Sequence, residues 1–106
     1  MPEFSFRNVK KKFHAVELWD GTKVMLKYPS YGDFNAILNL TKLADGNYSQ
    51  AILDDLAGLT ARLLSNNLEG HKVTADDVKN NLGVEDIMAF FQDYIGFVNG
   101  LVKDPN

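Results

Sequence analysis

The dipeptide Asp20-Gly21 lies between two runs of alternating side chains, and no other feature constrains the fold as much. From Phe13 to Trp19, the residues Phe13, Ala15, Glu17 and Trp19 share one face, and His14, Val16 and Leu18 share the other. From Thr22 to Tyr28, Val24, Leu26 and Tyr28 alternate with Lys23, Met25 and Lys27. Asp-Gly tolerates the positive φ that a tight hairpin turn needs. A two-residue loop pairs Trp19 with Thr22, Glu17 with Val24, Ala15 with Leu26 and Phe13 with Tyr28. That face is mostly apolar and is expected to be buried. The other face, with Val16, Leu18 and Met25 among His14, Lys23 and Lys27, is then mixed. Phe4 and Phe6 are expected to begin a third strand. A lone hairpin is marginal in water, so this one must lean on helices or on a partner.

The remainder reads as helix. Pro29 ends the second run, and Ser30 with Asp33 forms a capping signal for a helix over residues 31–44. Asp45-Gly46-Asn47 is expected to stop it. Ser49 caps a second helix to about residue 65, with Ile52, Leu53, Leu56, Leu59, Thr60, Leu63 and Leu64 on one side. Thr74 with Asp77 caps a short helix through Leu82, which Gly83 ends. A last helix is expected over residues 84–102. The fold class is α+β: an N-terminal antiparallel β-hairpin, with the third strand upstream, followed by three to four α-helices. At 106 residues the chain makes a single domain, with a basic hairpin region at 1–28 and a helical region at 29–103.

Catalytic and metal chemistry find little footing. There is no Cys, and His14 and His71 are isolated in the sequence. No serine lies in a G-x-S-x-G setting. Asp45-Gly46-Asn47-Tyr48-Ser49 begins like a calcium loop, but Gln50 and Leu56 occupy the positions that need Gly and Glu. Asp76-Asp77 and Glu85-Asp86 stand in first helical turns, where negative charge opposes the helix dipole favourably, and Asp54-Asp55 lies on a solvent face. The expectation is a non-enzymatic protein with no catalytic, cofactor-binding or metal-binding residues. No apolar run is long enough for a membrane span, and the N-terminus lacks the apolar core of a signal peptide. A small cytoplasmic domain is expected.

Charge is unevenly placed. Residues 1–28 carry six basic and three acidic side chains, and residues 29–106 carry five basic and eleven acidic ones. A basic end can meet phosphate or the acidic part of another copy. Arg7, Lys10, Lys11, Lys12, Lys23 and Lys27 with Phe4, Phe6 and Phe13 would form a nucleic-acid surface. The overall acidity, with a pI near 5.2, and the lack of a reading motif weigh against it. Lysines along a strand edge also discourage aggregation.

Hydrophobic surface is the remaining signal. The apolar arc of the last helix spans about half its circumference, wider than the roughly 100° a surface helix needs. Ile87, Phe91, Tyr94 and Val98 at its centre are expected in the core. Its flanks, Met88, Phe90, Ile95 and Phe97, need cover from neighbours or from another chain. With the mixed hairpin face, the candidate protein-binding residues are Val16, Leu18, Met25, Met88, Phe90, Ile95 and Phe97.

The segment Trp19-Asp20-Gly21-Thr22-Lys23-Val24-Met25-Leu26-Lys27-Tyr28-Pro29-Ser30-Tyr31-Gly32-Asp33 resembles the opening of tail assembly chaperones from long-tailed bacteriophages. The leucine-rich helix at 52–64 and the aromatic helix at 85–102 fit the same layout, so the resemblance spans residues 13–102. It implies a non-enzymatic role: binding the tape-measure protein and tail-tube subunits during tail morphogenesis in the bacterial host cytoplasm. It also implies a short form, ending in the polar KDPN, beside a frameshifted longer one. Self-association into a homo-oligomer is implied too, and a basic hairpin with acidic helices suits head-to-tail contacts. Two other readings compete: another small phage morphogenesis protein, such as a head–tail connector component, and a nucleic-acid-binding module using the basic hairpin.

Overall fold

Strands β1 (His14–Glu17) and β2 (Lys23–Leu26) form an antiparallel hairpin in the computed structural model, which describes residues 3–43 and 48–100. The register pairs His14 with Leu26, Ala15 with Met25, Val16 with Val24 and Glu17 with Lys23. This is one residue away from the pairing that a two-residue loop would give. Leu18 N–H donates to the Thr22 carbonyl at 2.7 Å, and Gly21 N–H to the Leu18 carbonyl at 3.0 Å. The loop is therefore Trp19-Asp20-Gly21, with Gly21 in the left-handed region at φ +88°. The Asp20 carboxylate accepts the Thr22 N–H at 3.0 Å, and that bond holds its carboxyl below the ordinary value.

A one-residue shift turns every side chain of a strand over. Val16 and Leu18 therefore join Val24 and Leu26 on the inner face, and Ala15, Glu17 and Trp19 face out. The expected buried face of β1 is thus corrected. The physical reason is visible in the pairs: the observed register sets Glu17 against Lys23 and keeps four aliphatic side chains together. Among the described residues the expected third strand is also absent. Phe6–Asn8 form a 3₁₀ turn capped by Ser5, and Phe4 and Phe6 stand exposed, packed edge to face on each other.

Four helices follow among the described residues: α1 (Tyr31–Leu43), α2 (Gln50–Ser65), α3 (Ala75–Asn81) and α4 (Val84–Val98). Their starts follow the capping chemistry. Ser30 Oγ accepts the Asp33 N–H at 3.1 Å, and Ser49 Oγ accepts the Ile52 N–H at 3.3 Å. Thr74 and Asp77 form a reciprocal capping box at 3.0 Å in both directions. Gly83 N–H donates to the Asp86 carboxylate at 2.8 Å. The expected stop at 45–47 lies outside the described residues. Helix α4 ends at Val98, capped by Asn99, short of the expected residue 102.

Helix α2 is the axis of the fold. It buries Leu56, Ala57, Leu59, Thr60, Ala61, Leu63 and Leu64. Around them pack Ile37 and Leu40 of α1, Val78 of α3, and Ile87, Phe91 and Tyr94 of α4. Each such aliphatic or aromatic side chain contributes about 1.5–3 kcal/mol on full burial. Beyond α2, Asn67 is 5% exposed and fastens the turn. Its Nδ2 donates to the Leu64 and His71 carbonyls at 2.8 Å, and its Oδ1 accepts the His71 N–H at 2.9 Å.

The hairpin is attached through the free side of β2. Lys27 N–H donates to the Asn66 carbonyl at 2.9 Å, and Leu68 N–H to the Met25 carbonyl at 3.0 Å. Met25 N–H donates to Glu69 Oε1 at 2.9 Å. The Tyr94 hydroxyl of α4 donates to the Lys27 carbonyl at 2.6 Å. Burial, with the charge of Asp33 added, pushes the Tyr94 phenol far above its ordinary value.

Candidate protein-binding surface

The seven candidate residues do not come together on one surface. Leu18 is 6% exposed and belongs to the core, whereas Val16 is half-buried against that core and also lines the concavity beside Met25. Met25 lies on the opposite face of the hairpin, beside Glu69 in a shallow concavity of about 360 Å³ with Ala15, Glu17 and Lys23. The α4 flanks Met88, Phe90, Ile95 and Phe97 are all half-buried against the protein's own core. The wide arc of α4 is thus largely covered from within. Met88 keeps an open side towards Tyr48, Val84 and Ala89.

Phe97 shows how the C-terminal end of α4 meets the hairpin. Its ring stacks on His14 at 4.8 Å and meets Tyr28 edge-on at 4.8 Å. His14 Nε2 lies 2.5 Å from Asp93 Oδ2, and the Asp93 side chain is half exposed. Through these contacts His14 joins β1 to α4, which is a structural role.

A groove with exposed apolar side chains lies elsewhere, at the open end of the hairpin. Residues 9–13, ahead of β1, diverge from Lys27, Tyr28 and Pro29 beyond β2, and Leu68 closes the gap from the turn after α2. They line a groove of about 560 Å³. Phe13 is 37% exposed, Tyr28 40% and Leu68 53%. Lys10, Lys11, Lys12 and Lys27 form its walls, and no carboxylate lines it. Among the described residues, none of these four lysines lies within ion-pair distance of an acidic group.

The acidic part of the chain is arranged differently. Asp33 pairs with Arg62 at 2.8 Å, and Asp54 sits 3.4 Å from Lys79. Asp77 and Asp86 are held by the caps of α3 and α4, and Asp93 by His14. The Lys79–Asp54 pair and the short link from α3 to α4 put the starts of α2 and α4 at the pole away from the hairpin. The molecule is elongated, 54 × 29 × 26 Å, and Lys10, Lys11, Lys12 and Lys27 stand at its hairpin end.

The lysine run and Phe13 are conspicuous in the sequence, but Leu68 is not. It reaches the groove only because residues 66–68 pair with β2, a long-range contact that periodicity does not report. Among the described residues, no three His, Asp or Glu side chains converge in a metal-holding group. No helix among them is long and apolar enough to cross a membrane. Comparison with known proteins returns no matching family model, no matching curated protein and no matching solved structure.

Proposed function

We propose that this chain is a non-enzymatic, protein-binding assembly factor of the tail assembly chaperone type. It acts in the cytoplasm of a bacterial host, holds the tape-measure protein and tail-tube subunits while a phage tail is built, and associates with copies of itself. The observation that carries the reading is the open end of the hairpin. Aromatic and aliphatic side chains remain exposed there beside cations that have no partner among the described residues, which is the composition of a binding surface more than of a reaction centre. The order of elements, a D-G hairpin followed by a Pro-Ser-x-x-Asp cap and then helices, supports the same type.

Light scattering coupled to size exclusion tests the self-association, at low and high salt over a range of concentrations. The expected result is a concentration-dependent species above the 11.9 kDa of one chain. Contacts that persist in high salt are apolar, and contacts that dissolve are electrostatic. An 11.9 kDa monomer under all conditions refutes self-association, and failure to co-purify with tape-measure and tail-tube proteins refutes the chaperone reading. The lysine groove also favours a second reading, a nucleic-acid-binding module. That reading requires binding to oligonucleotides that weakens steeply with salt.

A further inference from the structure

We propose that the groove between residues 9–13 and Lys27–Pro29 is a docking site for an acidic segment of a partner protein, anchored by one or two apolar side chains. This rests on the protein-binding reading above and names the chemistry of the partner. The floor is apolar: Val9, Phe13, Tyr28 and Leu68 contribute side chains 37–53% exposed. The walls carry Lys10, Lys11, Lys12 and Lys27, with no carboxylate among the lining residues. A volume of about 560 Å³ falls within the roughly 300–1,000 Å³ of ligand-sized clefts, enough for one or two anchoring side chains. An uncharged segment would fill the floor and leave the lysines unanswered. A highly charged polymer without apolar groups would leave the floor wet. An acidic segment with apolar anchors satisfies both.

A second copy of this chain is the poorer occupant. Five of its carboxylates are engaged, Asp33 with Arg62, Asp54 with Lys79, Asp93 with His14, and Asp77 and Asp86 in helix caps, while exposed Asp55, Asp76 and Glu85 belong to the helices α2, α3 and α4 and not to an extended segment that could thread the groove. Nucleic acid is also poorer. Phe13 and Tyr28 lie on the floor of the groove and are little more than a third exposed, whereas base stacking needs open aromatic faces.

The test uses the full chain and three fluorescein-labelled probes followed by anisotropy. They are a short peptide alternating Glu with Leu and Phe, the same peptide with Gln for Glu, and an oligothymidylate. The expected result is binding of the acidic peptide in preference to both others. K10E/K11E/K12E/K27E is expected to weaken that binding at least tenfold, on the order of several charge pairs acting together. Leu68→Ser is expected to weaken it about threefold or more with the charges intact. Both substitutions fall on exposed side chains, and an unchanged far-ultraviolet circular dichroism spectrum confirms that each variant is folded. Equal binding of both peptides, unmoved by the lysine changes, overturns the groove assignment while leaving the protein-binding reading standing. Preferential binding of oligothymidylate overturns both. Loss of self-association in the lysine variant, with peptide binding unchanged, assigns the groove to a second copy and overturns the proposal.

Discussion

The helical part of the molecule and the open end of the hairpin contain the same kinds of side chain and use them in opposite ways. Phe91 and Tyr94 are fully buried against α2, whereas Phe13 and Tyr28 remain 37% and 40% exposed. Arg62 and Lys79 each reach a carboxylate, whereas Lys10, Lys11, Lys12 and Lys27 reach none among the described residues. Stability and binding make competing demands on a side chain, because a group already satisfied within the fold has little left to offer a partner. In this molecule the two demands are met at different ends. The helical end holds the structure together, and the open end of the hairpin keeps four lysines without an ion-pair partner among the described residues.

This division can be broken by measurement. Phe91→Ala is expected to cost about 3–5 kcal/mol, since the ring is fully buried and its loss leaves a cavity. Phe13→Ala at the groove is expected to cost less than about 1 kcal/mol. Urea denaturation of both variants compares them directly, and equal losses would mean that the groove is part of the core.

A smaller effect tests the junction between the two ends. Asn67→Ala removes three hydrogen bonds from the turn after α2 and leaves backbone groups of Leu64 and His71 without that partner. Its expected cost is about 2 kcal/mol. Thermal melting that showed no shift would mean that the turn holds without its central side chain.

The smallest effect concerns Tyr94. Replacing it with Phe deletes the hydroxyl bond to the Lys27 carbonyl and is expected to cost about 1 kcal/mol. The pH dependence follows from the raised phenol. An unfolded tyrosine ionises near pH 10, while the buried one resists ionisation. Its contribution is complete below pH 10 and is lost as pH rises towards the folded-state value. Alkaline unfolding should therefore be steeper in the native chain than in Tyr94→Phe, and coincident titrations would refute the linkage.

Much of the architecture is legible in the sequence because its signals are local. Ser30, Ser49 and the Thr74–Asp77 box mark helix starts within one turn, and the stripe of α2 repeats at helical spacing. The hairpin is legible as a hairpin, but its register is not. Both faces of Phe13–Trp19 carry apolar side chains, so alternation alone does not choose between them. The deciding clue is the charge pair: of the two registers, only the observed one sets Glu17 opposite Lys23. The other register places Val16 and Leu18 on the candidate surface instead of in the core. The flanks of α4 are legible as apolar, but the hairpin that covers Phe97 comes from the far end of the sequence. The groove is half visible for the same reason: its lysines are consecutive, and Leu68 arrives by tertiary pairing.

The fastening of β2 to residues 66–69 has a consequence for how the molecule comes apart. Met25 and Glu69 are 44 residues apart in the chain, so the hairpin cannot complete its bonding until α2 has formed and turned. The amides of Met25 and Lys27, donors to Glu69 and Asn66, therefore report in hydrogen exchange on the integrity of the helical end. The relation also runs the other way: Asn66 is the C-cap of α2, and its carbonyl accepts from Lys27, a wall of the groove. A chain pulled into that groove tugs directly on the last turn of the central helix.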